Sequence, residues 1–166
     1  MKLDSFDELS LDGLKDIYSA EQQALQGLTQ MQQAASSPEL KAAFEEHKQQ
    51  SEGQVRRLEQ IFQTMGQSPE GKECKAAQGL IAEAQELIEE GEPGPVLDAG
   101  LISAAQKFEH YEIASYGTAR TFAQRMGQDE VARLLAETLR EEEETDRKLT
   151  RIAESVINPQ AAQQSA

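Results

Sequence analysis

The five prolines of this 166-residue chain stand at positions 38, 69, 93, 95 and 159, and between them lie long stretches without a break. Proline lacks the N–H that an interior helical position needs and clashes with the preceding turn, so these sites mark where helices begin or end. The intervening stretches are rich in Ala, Gln, Glu and Leu and sparse in the residues that favour strands. The chain is read as all-α. A first helix is predicted from about Leu11, capped by Ser10, to Ala35. Ser36 and Glu39 form a capping box around Pro38, and the second helix continues to Met65, with Gly66 as its stop. After Gln67-Ser68-Pro69-Glu70-Gly71 comes a shorter helix, roughly Glu73 to Glu90, ended by Gly91-Glu92-Pro93-Gly94-Pro95. A third long helix spans about Val96 to Met126, stopped by Gly127. Asp129 caps a fourth that ends near Ile157, ahead of Asn158-Pro159.

Tight links within the first and last pairs of long helices predict two antiparallel hairpins, with the shorter helix in the crossover between them. That topology is a ferritin-like four-helix bundle, the competing architecture being an elongated helical assembly. Residues 1–159 are read as one domain and 160–166 as a frayed, disordered tail. With 16 Lys+Arg against 30 Asp+Glu, the formal charge is −14. That excess disfavours nucleic acid and anionic membrane surfaces as partners, since both need basic patches. No run approaches a membrane span, the acidic N-terminus does not read as a signal peptide, and a single cysteine, Cys74, suits a reducing compartment. A cytoplasmic location is expected.

Placed at about 100° per residue, each long helix shows an apolar stripe with a polar centre. Leu14, Ile17, Tyr18, Leu25 and Leu28 surround Glu21; Leu40, Phe44, Val55, Leu58 and Phe62 surround His47 and Ser51. Leu101, Ala105, Phe108 and Tyr116 surround Glu112, with Glu109 toward the edge. Val131, Leu135, Leu149 and Ile152 surround Glu142, with Thr138 and Thr145 close by. Counting from the hairpin turns brings these groups to mid-height together.

Carboxylates gathered in a core repel one another unless protonated or paired, and no Lys or Arg sits at the centre of a stripe. Divalent iron or manganese would neutralise them, and Glu/His ligation suits those ions. The candidate ligands are Glu21, His47, Glu109, Glu112 and Glu142, with Glu21 and Glu142 terminal and Glu112 bridging or terminal. Gln50, Gln54, Glu141 and Asp146 are further candidates. Read alone, each of these residues has a plainer role. His110 is a surface or subunit-contact group, most of Glu141–Glu144 a solvated face, and Cys74 a packing residue; Tyr18 and Tyr116 are core aromatics near the site.

Leu14 through Glu21, Ser37 through Leu40, Phe44 through His47, Arg57 through Phe62, Lys72 through Lys75, Gly79 through Glu83, Gln106 through Gly117 and Leu139 through Glu142 together resemble the YciE/YciF family of bacterial stress proteins. The resemblance covers nearly the whole chain and is most specific over Gln106–Gly117. It implies a ferritin-like fold, a homodimer, a two-metal centre and stress-linked expression. The wider di-iron pattern places Glu-x-x-His on two helices, whereas here Gln50, Ser51 and Gln54 follow His47, and Thr145 follows Glu142. The second histidine is missing, which points to one weak, water-rich or manganese-preferring position. The expected function is a di-iron or di-manganese protein of the oxidative or general stress response, with peroxide or oxygen reacting at the metals. A non-catalytic helical scaffold and iron storage are the alternatives.

Overall fold

The breaks expected at Pro38, Pro69, Pro93 and Pro95 separate helices in the computed structural model, which describes residues 4–164, whereas the backbone stays helical through Pro159. Helix α1 spans Phe6–Ala34, α2 Pro38–Met65, α3 Lys75–Glu90, α4 Pro95–Arg125 and α5 Asp129–Ile152. A π-helical turn, Ala153–Ile157, leads into α6, Asn158–Gln164. Pro38 and Pro95 are each the first residue of a helix, where the missing N–H has no intrahelical partner to lose. The described residues contain no strand. Helices α1/α2 and α4/α5 form the two antiparallel hairpins, and the fold is the ferritin-like bundle the sequence predicts. The crossover helix α3 lies against α1 and α4, while α2 meets α5 on the opposite side.

Several boundaries differ from expectation, each for a local reason. Helix α1 begins five residues before Leu11, because Ser5 and Glu8 cap it: Ser5 Oγ accepts from the Glu8 N–H at 3.1 Å, and the Glu8 carboxylate accepts from the Asp4 N–H at 2.9 Å. Ser10 is therefore a buried helical residue and not a cap. Ser37, not Ser36, caps α2, accepting from the Leu40 N–H. Gly127 closes α4 at φ +71°, with the Gln128 N–H bonded to the Ala123 carbonyl at 2.9 Å. That closure places Asp129 one step inside α5, with Gln128 at the cap. The tail expected to fray from Gln160 is helical through Gln164; Ser165 and Ala166 lie outside the described residues. The Asn158 N–H reaches back to the Ala153 carbonyl, and this wider turn resets the helix so that Pro159 falls in a new first turn. No helix among the described residues is long and apolar enough to cross a membrane.

Two apolar layers fill the bundle. One, toward the α1–α2 turn, packs Leu28, Leu40, Phe44, Leu101, Leu149 and Ile157. The other, toward the α4–α5 turn, packs Leu14, Ile17, Leu58, Phe62, Tyr116 and Leu135. A smaller cluster under α3 joins Ala20, Ala24, Cys74, Ala77 and Phe108. Cys74 caps α3, accepting from the Ala77 N–H at 3.4 Å, and its sulfur lies 3.0 Å from the Tyr111 hydroxyl. Its thiol is pushed up by burial, as suits a packing residue.

One buried carboxylate ties the first hairpin to the second. The Asp98 side chain, on the first turn of α4, accepts from the Ser36 N–H at 2.7 Å and the Ser37 N–H at 2.8 Å. These are charge-assisted bonds that fix the α1–α2 turn onto the other hairpin. Asp98→Ala is expected to lower stability by about 2 kcal/mol, part of the loss being recovered by water at the exposed Ser36. The shift of the urea midpoint measures it; no shift would mean the turn is held by packing alone.

Candidate metal centre

Between the two apolar layers lies a polar band to which each long helix contributes. Helix α1 brings Glu21; α2 brings His47, Ser51 and Gln54; α4 brings Glu109 and Glu112; α5 brings Thr138, Glu142 and Thr145. All five candidate ligands are buried, Glu21, Glu109 and Glu142 at 0% exposure, Glu112 at 1% and His47 at 4%. Ligand atoms of His47, Glu109, Glu112 and Glu142 lie within 4.8 Å of one another. His47 Nδ1 is 3.1 Å from a Glu109 oxygen and Nε2 is 3.7 Å from a Glu142 oxygen. Neither contact is aligned as a hydrogen bond.

Glu21 stands beside that group of four. Its Oε1 accepts a 2.5 Å bond from the Tyr116 hydroxyl, and its Oε2 has no partner. Burial and the nearby Glu21 and Glu112 carboxylates push the Tyr116 phenol well above its ordinary range, so it remains a donor. Gln54 Nε2 donates to Glu142 Oε1 and, at 3.2 Å, to Glu141, leaving its own carbonyl oxygen free. Apart from Arg120 Nε and Gln128 Oε1, every buried side-chain nitrogen or oxygen without a hydrogen bond among the described residues belongs to this band. Interiors satisfy their polar groups almost without exception, so such a concentration makes this band the candidate place for a bound ion.

The electrostatics agree. Burial, and then the Glu142 charge, push Glu21 and Glu109 well above the carboxylate range. Burial, and then Glu21 and Glu142, do the same to Glu112. Burial also raises Glu142, but contacts with Glu109 and His47 and the Gln54 amide outweigh it and hold this carboxyl down at about 2. One carboxylate thus carries the charge of the cluster while its neighbours are driven toward their neutral forms.

The other candidates divide. Glu109, expected at the edge of its stripe, is fully buried because α3 and Phe108 cover that side. Gln50 accepts from Thr145 Oγ1 at 3.0 Å, and Glu141 is paired with Arg57 at 3.0 Å. Asp146 accepts from Gln106 at 3.0 Å and faces the exposed His110 at 3.2 Å. Tyr18, in the apolar layer, donates to the exposed Glu59, so of the two tyrosines only Tyr116 reaches a candidate ligand. Sequence reasoning misses Arg57, which borders the band and binds Thr138 at 2.6 Å, Glu137 and Glu141. The signal for it is its place one turn after Gln54, facing the acidic run of α5.

Fold and site together define a ferritin-like helical bundle with a buried Glu/His cluster at mid-height. The chain belongs to the YciF family: residues 5–162 match the family described as a domain of unknown function, DUF892. It is 42% identical to protein YciF of Escherichia coli K12 over 162 residues, 97% of this chain and 98% of that protein. The crystal structure of the E. coli stress protein YciF superposes with a TM-score of 0.90, over 94% of this chain and 99% of that one. YcfI of Rhodopseudomonas palustris, 39% identical, superposes at 0.86 over 90% and 97%. A Xanthomonas campestris protein of 21% identity, at 0.79, shares the fold.

The raised carboxyls make a pH prediction for chelator-treated protein. Groups whose folded pKa is raised contribute stability below the ordinary carboxylate range, and that contribution is lost as pH climbs through their folded values. Glu142 acts oppositely, losing its contribution only as pH falls toward about 2. Melting temperature should therefore decline between pH 5 and pH 8. Glu112→Gln should flatten that decline and Glu143→Gln should not. A flat profile in the unsubstituted protein would contradict the charge assignment.

Proposed function

We propose that the band holds two iron or manganese ions between the hairpins, and that the protein uses them in oxidative or general stress, with dioxygen or peroxide as the reacting partner. The observation that carries this reading is the concentration of unpartnered buried nitrogen and oxygen atoms on Glu21, His47, Ser51, Gln54, Glu109, Glu112 and Glu142. The donor set fits: carboxylate oxygens with one imidazole suit iron and manganese, and the chain's thiol is engaged elsewhere, at the start of α3. Such an ion pair supplies one-electron chemistry toward dioxygen or peroxide when bound.

The residues themselves have separable tasks. His47, Glu109, Glu112 and Glu142 offer the tight position, since their ligand atoms already converge within 4.8 Å. Glu21 serves the second, weaker position, with one oxygen free and the other oriented by Tyr116. Gln54 orients Glu142 from behind, and Arg57 holds Glu141 and Glu137 out of the band. The apolar layers on either side exclude water from the cluster.

Protein purified without chelator should contain close to two metals per chain, and titration of the stripped protein with Mn(II) should show one tighter and one weaker site. At a hundredfold excess over the dissociation constant, one site adds about 2.7 kcal/mol, or roughly 5–10 °C in melting temperature. Glu112→Ala should abolish uptake at the tight site and Glu143→Ala should leave it unchanged. A melting temperature indifferent to Fe(II) and Mn(II) would sink the proposal. It would favour instead a non-catalytic scaffold, the reading that the description of the R. palustris relative as a candidate structural protein supports.

A further inference from the structure

His47 is bordered by small cavities on two sides, and their walls differ in kind. Toward the α2/α5 seam, Glu46, Gln50, Thr145 and Lys148 help enclose a space of about 10 Å³, enough for one water or less. Glu46 and Lys148 pair across it, and Gln50 bonds Thr145. This is a polar approach. On the other side, beneath α3, lies a cavity of about 20 Å³. Its walls include Ala24, Leu28, Met31, Ile81 and Phe108, and the only polar residues at its border are His47 and Glu109.

We propose that the cavity beneath α3 is a docking site for an apolar molecule of the size of dioxygen, held beside the candidate ion-binding band. A buried water needs two to four polar partners, and an apolar cavity that cannot offer them stays dry and takes apolar guests instead. Here the polar edge is limited to two groups already claimed by the proposed ions, and the remaining wall is aliphatic or aromatic carbon. The space exists because the facing positions on α1 and α4 are small, Ala24 and Gly27 on one and Ala105 on the other. Ile81 forms its α3 side and approaches α1 so closely that a Cβ on Gly27 would come within 3.3 Å of it. The inference rests on the proposed function, because the unpartnered atoms of His47 and Glu109 are withheld from a water in this cavity only when they hold ions.

Dissolved dioxygen is paramagnetic and broadens the methyl resonances it visits. With the full chain, methyl-labelled, under a few atmospheres of oxygen, Leu28, Met31 and Ile81 should relax several-fold faster than equally buried methyls in the far apolar layer, such as Leu14 and Leu135. Ala24→Val, which fills the space, should remove the difference, and Ile81→Ala, which enlarges it, should increase the effect on Leu28 and Met31. Equal broadening across all buried methyls, or a water signal transferred to the Met31 methyl, would overturn the inference. Mn(II) uptake, measured by metal analysis on separate samples so that the paramagnetic ion does not itself broaden the methyls, separates the two readings. Localised oxygen without metal uptake upholds the cavity and overturns the ion centre; uptake with uniform broadening overturns the cavity alone.

Discussion

An ionised carboxylate taken out of water without a partner costs several kcal/mol, and Glu21, Glu109, Glu112 and Glu142 are buried together at one level of the bundle. Stability for such a level must come from elsewhere in the molecule. The two apolar layers above and below supply it, each drawing large side chains from all four long helices, with Phe44 and Leu101 in one and Phe62 and Tyr116 in the other. Burying each such side chain stabilises the fold by about 1.5–3 kcal/mol. Separating the layers along the axis leaves a gap only the polar band occupies.

Holding the band level requires the hairpins to stay in register. In each hairpin the polar residues lie well away from the connecting turn, so both of its helices reach mid-height together. Register between hairpins depends on the contacts that cross from one to the other. Asp98 binds the α1–α2 turn to the start of α4, and Arg57 on α2 engages Thr138, Glu137 and Glu141 on α5. Tyr116 completes the set by joining α4 to α1 directly at Glu21. The crossover helix adds cover: Ala77 packs in the cluster with Phe108, and Ile81 lines the small cavity beside Glu109.

Much of this arrangement is legible in the amino-acid sequence. Pro38, Pro69, Pro93 and Pro95 delimit the helices, and the stripe centres identify Glu21, His47, Glu112 and Glu142 because an isolated polar residue in an apolar stripe is visible on one helix at a time. Glu109 falls at an edge on a helical wheel because the wheel knows nothing of a crossover helix that covers that edge. Ser10 looks like a cap, but a competing capping box, Ser5 and Glu8, lies upstream and wins through the acidic first turn it brings. The helix over Asn158–Gln164 escapes sequence reasoning because a π-turn lets the backbone pass Asn158-Pro159, and no periodicity announces such a turn. Gln54 illustrates a subtler limit: its residue type suggests a weak ligand, yet its amide faces Glu142 as a donor, an orientation set by partners on another helix.

Charge balance then decides how many cations the band can accept. The four buried glutamates carry at most four negative charges, and the Gln54 amide adds none. Two divalent ions would neutralise them completely; one would leave two charges in a dry interior, to be removed by protonation of the carboxyls already pushed upward. A fifth carboxylate at position 54 would unbalance the pair, whereas the glutamine there orients Glu142 without adding charge. Arg57 similarly keeps Glu141 engaged at the border instead of letting it join the cluster. On the proposed function, the neutral amide and the diverted acid, as much as the candidate ligands themselves, would suit the interior to a pair of divalent ions.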